Sequence, residues 1–319
     1  MIFICKEQGR VDKVMSSELD MTRSQIEKFI KSVGIEVNGK KTNKSSYKLE
    51  IGDEIRYEFK ELKEDKSEYE VDFDVEILYE DEDLLVVNKP PFLTVHPAPS
   101  VKEATLVDWL KKKGISLSTI SGEERYGIVH RIDKETSGAL LVAKNNETHV
   151  KLSKQLENKS MGRYYLALID LPLKEDIVVE KPIARNPNHR LKMAVIENGK
   201  FSKSAFRKIS TSTKTRYELI AAKLYTGRTH QIRVHLNSLS RHILGDSLYG
   251  FKSQKGKIKR VMLHAYILYF KHPKSGEFMQ IKAPLFEDFE DTMYRYFDKE
   301  KIHENLKTDS IVDSFAVDS

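Results

Sequence analysis

Residues 127–144, GIVHRIDKETSGALLVAK, place the tightest constraint on how this chain can fold. Two apolar runs bracket five ionisable side chains, His130, Arg131, Asp133, Lys134 and Glu135. The flanks read as buried strands, "GIV" ending one and "ALLVAK" starting another, with Ser137 and Gly138 in the turn between them. Polar side chains held between two core strands line a cleft more often than an open surface. The fold must therefore build a core on both sides of this segment and leave its middle accessible.

At 319 residues with 39% hydrophobic content the chain can form two domains with a real core. The single cysteine, Cys5, excludes an internal disulfide and a cysteine-based metal cluster, as fits a reducing compartment. The apolar run in "MIFICKEQGR" is too short for a signal peptide, and no stretch approaches the roughly 18 apolar residues of a membrane span. A soluble, cytoplasmic, monomeric protein with no membrane partner is expected.

Net charge is only +6, but it is unevenly spread. Residues 181–260 hold 19 Lys plus Arg against 3 Asp plus Glu, a balance of +16, which is the footprint of a nucleic-acid partner. Residues 61–83 hold 2 against 12 and residues 285–319 hold 4 against 10, so these parts face away from phosphate.

Residues 1–60 form a first unit. "RVDKVMSSE" reads as a short helix with Val11, Val14 and Met15 inward, and "RSQIEKFIKSV" as a second, with Ile26, Phe29 and Ile30 on one face and Gly34 at its end. "IEVNGKKT" is a hairpin turning at Asn38-Gly39, and "KLEIGDEIRYEF" turns at Gly52-Asp53 into a last strand. This order resembles the S4 RNA-binding module, carried by "RVDK", "TRSQIEKFIK", "VNGK" and "GDEI" over about 50 residues. The resemblance implies that Arg23, Lys28, Lys40 and Lys41 face a phosphate backbone. Residues 61–74 read as a solvated acidic linker.

The second unit, residues 75–297, mixes strands ("VEILYEDEDLLVVNK", "RYYLALID", "DIVVEKPI", "TRYELIAAKLY") with helices ("ATLVDWLKKK", "ETHVKLSKQLEN"). This is an α+β pattern with a mainly antiparallel mixed sheet flanked by helices, and it contains no glycine-rich phosphate loop. Residues 298–319 are expected to form a disordered tail. His230 and His235 lie five apart, which matches no zinc signature, so no metal is expected.

Four blocks in order, "VVNKPPFLTVHP", "GIVHRIDKETSGALLVAKN", "RYYLALI" and "TGRTHQIRVHL", followed by "GDSLYG" and "LHAYILYFKHP", resemble the pseudouridine synthases of the RluA type, which isomerise uridine in ribosomal RNA and tRNA. The match spans roughly residues 84–284 and implies the pseudouridine synthase fold. Ile132 stands where the family usually has Leu, and Ala139 where it has a larger apolar residue; both changes conserve packing. The resemblance makes Asp133 the catalytic carboxylate, forming an ester at C1′ or acting as a base at C2′, with Tyr165 stacking on the base and Arg233 as the basic partner. A half-buried aspartate tends to hold its proton, and a neighbouring guanidinium reverses that tendency. Thr229 reads as the N-cap of the helix that carries Arg233. Arg131 and Arg228 suit the gap left by an extracted base or a nearby phosphate, and His130 is grouped with them, although a hydrogen-bonded structural role is the stronger reading for it. The reaction needs no cofactor.

Three other readings compete. A silent RNA-binding or ribosome-assembly protein would not need Asp133, Tyr165 and Arg233. A glycosidase-like hydrolase would have to use Asp133 and Glu135, which are too close in one loop to flank a sugar. A tRNA-directed synthase shares all the chemistry, and the N-terminal module favours 23S ribosomal RNA, free or in an assembling particle, as the partner.

Overall fold

The computed structural model describes residues 1–19, 21, 23–58, 69–98, 100–120, 126–250 and 258–316. Most of the expected acidic linker lies outside these residues.

The first unit runs β1 (Ile2–Ile4), β2 (Gly9–Arg10), α1 (Val11–Glu18), α2 (Arg23–Ser32), β3 (Ile35–Val37), β4 (Lys40–Thr42), β5 (Lys48–Leu49) and β6 (Glu54–Arg56). Val11, Val14, Met15, Ile26, Phe29 and Ile30 are buried as their spacing predicts, against a sheet of order β1-β6-β3-β4. Asn38 and Gly39 both have positive φ, as a two-residue hairpin turn with right-handed strand twist requires. Asp12 is fully buried between Arg10 and Arg23. Burial would raise its pKa, but the hydrogen bonds from the two guanidinium groups outweigh that and lower it. Ile120 of the second unit packs into this small core.

The second unit contains β7 (Glu76–Glu80), β8 (Leu84–Lys89), α3 (Leu106–Lys112), β9 (Ser137–Ala143), α4 (Asn146–Glu157), β10 (Gly162–Ile169), β11 (Ile177–Glu180), β12 (Ile183–Arg185), β13 (Met193–Val195), β14 (Lys203–Thr211), β15 (Glu218–Leu224), α5 (Gln231–Ser238), β16 (Leu263–Lys271), β17 (Phe278–Lys282), α6 (Glu287–Tyr296), α7 (Lys299–Asn305) and α8 (Thr308–Asp313). The main sheet has the order β11-β14-β15-β10-β16-β9-β8-β7, with β17 also paired to β16. Every described pairing in it is antiparallel except β9 with β16. Alternation along the strands divides two cores. Leu85, Val87, Leu140 and Val142 face one with α3 and its Trp109, while Leu84, Val86, Ala139 and Leu141 face the other with Leu152 of α4.

Two expectations are corrected. "GIV" is no strand: Ile128 makes a single bridge to Val142, and Ser137 and Gly138 lie inside β9 rather than in a turn. Gly138 has φ 113, and a β-carbon there would collide with the backbone of Ala265 where β9 meets β16, so only glycine fits. Residues 298–316 are not a disordered tail. They form α7 and α8, and Ile302, Leu306, Ile311 and Phe315 are buried in the larger core. The acidic surplus there masked an apolar stripe at intervals of four to five residues, which the sheet covers.

Candidate active site

A cavity of about 470 Å³ opens where the loop before β9, the middle of the sheet and the start of α5 converge, and Asp133, Tyr165 and Arg233 all line it. Asp133 lies in that loop with its side chain 20% exposed, and its Oδ2 accepts a hydrogen bond from Arg233 Nη1 at 3.1 Å. Arg233 is 4% exposed and projects from the first turn of α5. Its Nε and Nη2 donate to Asp246 at 2.8 and 2.9 Å, and Asp246 in turn accepts from the backbone N–H groups of Leu248 and Tyr249. Burial works against the Arg233 charge, but hydrogen bonding and attraction from Asp246, then Asp133, raise its pKa. Burial likewise raises the Asp246 pKa, and Arg233 more than reverses it. The guanidinium is therefore a fixed cation whose orientation is set by one carboxylate and presented to the other.

The start of α5 differs from expectation. Thr229 is not the N-cap; His230 occupies that position with φ 57 and makes no side-chain cap. Gln231 braces the turn instead, accepting from Thr226 Oγ1 and the Arg228 N–H and donating to Lys203 O and Ser204 Oγ. The left-handed backbone at His230 is costly for a non-glycine residue. It holds the ring with Nδ1 3.0 Å from the Tyr249 hydroxyl and Nε2 3.9 Å from Asp133 Oδ2. Burial lowers the His230 pKa, with Asp133 opposing, so the ring is held towards its neutral form.

On β10 the two tyrosines part as strand alternation predicts. Tyr165 lines the cavity, while Tyr164 packs against Tyr269 and Phe315. Of the expected RNA contacts, Arg131 and Arg228 are exposed and line the cavity, and Arg228 Nε donates to Phe201 O. His130 is a correction: it is buried, with Arg163 Nη1 2.7 Å from Nδ1 and the Leu141 N–H pointing at Nε2, so neither nitrogen is open to RNA. Burial, then Arg163, pushes its pKa well down. Arg23 is exposed, but its Nε is committed to Asp12. Lys40 and Lys41 are exposed on β4; Lys28 lies on α2, its side chain outside the described residues.

Asp246 and Tyr249 were not singled out from sequence, and His230 was weighed there only as a metal ligand. The run "GDSLYG" was a signal for Asp246 and Tyr249, but neither residue's role is readable without its partner. Lys89 was also missed. It is fully buried, and its Nζ donates to the carbonyls of Pro90, Leu93 and Lys134, tying the loop that carries Asp133 to β8. Burial, with Arg260, pushes its pKa down to about 7, against the three carbonyl dipoles that favour the ammonium form.

Residues 83–238 match the family model of RNA pseudouridylate synthase, and residues 9–55 that of the S4 domain. An "uncharacterized RNA pseudouridine synthase" of Helicobacter pylori (strain J99) is 47% identical over 96% of this chain and 95% of its own length. The chain belongs to the RNA pseudouridine synthases. It is accordingly an isomerase that converts uridine in RNA to pseudouridine. A "ribosomal large subunit pseudouridine synthase D" of Nitrosomonas europaea is 40% identical over 65% of this chain and 61% of its own. The fold of "human RNA pseudouridylate synthase domain containing 1" superposes with a TM-score of 0.57 at 24% identity, covering 74% of this chain and 95% of that one. Among the described residues of this pseudouridine synthase, no helix is long and apolar enough to cross a membrane.

Proposed function

We propose that this synthase modifies uridines of 23S ribosomal RNA, with Asp133 as the carboxylate that acts at the sugar, Tyr165 as the ring against which the extracted uracil stacks, and Arg233 as the cation that orients Asp133. The observation carrying this reading is the ion pair of Asp133 with Arg233 at 3.1 Å in the wall of the cavity that Tyr165 lines. A carboxylate fixed in this way can attack C1′ to give an ester or take the C2′ proton to give a glycal. In both routes the cavity must keep the detached base from leaving while it turns. Arg131 and Arg228 at the mouth meet phosphate or fill the gap in the stack, and the basic block of residues 181–260 with the S4 unit supplies affinity. The ribosomal substrate is supported by the name of the Nitrosomonas relative and by the S4 match. His130 supports the site from within rather than touching RNA.

The test uses RNA from a strain lacking the gene, grown with uridine tritiated at C5, because C5 loses its hydrogen as the new bond forms. The wild type should release tritium from the 23S fraction, and Asp133→Asn should bind RNA yet release none above background. Release confined to the tRNA fraction would reassign the substrate; wild-type release by Asp133→Asn would remove Asp133 from the chemistry.

A further inference from the structure

Arg163 lies two residues before Tyr165 on β10, and both line the cavity with Asp133. Arg163 is 6% exposed. Arg233 in the same cavity has two carboxylate partners, but among the described residues Arg163 has none. Its hydrogen bond there runs from Nη1 to His130 Nδ1, and its Nε is buried without an acceptor. A guanidinium carries five N–H donors, and among the described residues only Nη1 of this one has a protein acceptor.

His130 deepens the shortage of acceptors. The Leu141 N–H points at Nε2 while Arg163 points at Nδ1, yet a neutral imidazole has one lone pair for the two donors. Thr136 Oγ1, which also lines the cavity, is buried without a partner among the described residues. A buried cation with surplus donors is unfavourable in isolation, and such a cluster is suited to an incoming group rich in acceptors.

RNA offers two such groups, phosphate and the base edge. Arg131 and Arg228 already occupy the exposed mouth, where a phosphate keeps its water. Arg163 is buried where those two are exposed, and it stands two residues from Tyr165 on the same strand, on the face that lines the cavity. Asp133, Arg163 and Tyr165 all line this one cavity. A uracil stacked on Tyr165 would bring its edge to Arg163.

We propose that Arg163 is a catalytic residue, donating hydrogen bonds to a carbonyl oxygen of the detached uracil and holding its negative charge between the two bond changes. When the N1–C1′ bond breaks, its electron pair leaves with the base and spreads over O2 and O4. Arg163, itself buried, meets that charge as a fixed donor that needs no reorganisation when the bond breaks. C5 then bonds to C1′, the C5 proton passes to solvent, and N1 regains a proton, so the product is an isomer of the substrate. The proposal rests on the reading of this cavity as the site of isomerisation.

The experiment is single-turnover tritium release from the same C5-labelled RNA by Arg163→Gln, with RNA affinity measured across salt. Release should slow by about 100-fold or more, while affinity and the slope of log affinity against log salt stay at wild-type values. A slope shallower by about one would assign Arg163 to a phosphate and overturn the proposal, as would release within about threefold of wild type. Should Arg163→Gln fail to fold, Arg163→Lys decides: a loss of about tenfold or more at unchanged affinity supports the proposal, and the wild-type rate overturns it. No release by the wild type itself would overturn the reading of the cavity and the proposal with it.

Discussion

Arg233 holds Asp246 with two nitrogens and Asp133 with the third, at 2.8, 2.9 and 3.1 Å. The bidentate grip fixes the plane of the guanidinium, and that plane fixes where Asp133 can sit. Asp246 is a positioning residue in this arrangement, for it reaches the reaction only through Arg233.

Asp246→Asn should therefore impair both stability and turnover. Removing one partner of a buried ion pair costs on the order of 3–5 kcal/mol, and a small misplacement of a reacting group costs about 100-fold in rate. Urea unfolding and tritium release measure the two effects, and RNA affinity should remain near wild type. A variant that loses stability but keeps its single-turnover rate would show that Asp246 serves folding alone.

Tyr165→Phe and Tyr164→Phe separate the two faces of β10. The first removes the hydroxyl of a ring that lines the cavity, and the second that of a ring packed against Tyr269 and Phe315. Tyr165→Phe should bind RNA but lose much of its turnover, since a general acid or base contributes about 100-fold or more. Tyr164→Phe should turn over like wild type. Equal activity in both would mean that the Tyr165 hydroxyl is idle and only its ring is used.

Truncation after Phe297 should destabilise the catalytic unit. Ile302, Leu306, Ile311 and Phe315 are buried against the sheet, and each contributes about 1.5–3 kcal/mol by burial. A fall of about 10 °C or more in Tm by calorimetry is expected, given about 2–4 °C per kcal/mol for a domain of this size. An unchanged melting curve would mean that α7 and α8 contribute nothing to the core.

Stability should fall as pH drops below the ordinary histidine range. His264 and His149 are buried, and desolvation lowers them from 6.5 to about 3 and about 4. A group depressed on folding contributes stability that is present above its unfolded pKa and lost as pH falls towards its folded one. Each ring should cost about 2 kcal/mol between pH 6.5 and 5, a window above the carboxylate range. Urea midpoints that stay flat across this window would contradict the buried neutral state of both rings.

Local pattern was enough for much of the architecture. The spacing of Ile26, Phe29 and Ile30 specifies α2, Asn38-Gly39 specifies the hairpin, and alternation along "RYYLALI" separates Tyr165 from Tyr164, because helix and strand periods are properties of neighbouring residues. The motif around Asp133 was equally legible from its contiguous residues. What only the tertiary structure decided depends on distance along the chain. Arg233 meets Asp133 across 100 residues and Asp246 across 13, His130 loses its nitrogens to Arg163 and Leu141, and the acidic C-terminal residues find a sheet to cover. A sequence shows which side chains carry charge or apolar surface; whether a charge is paired, buried or left with spare donors is settled by the groups the fold brings against it.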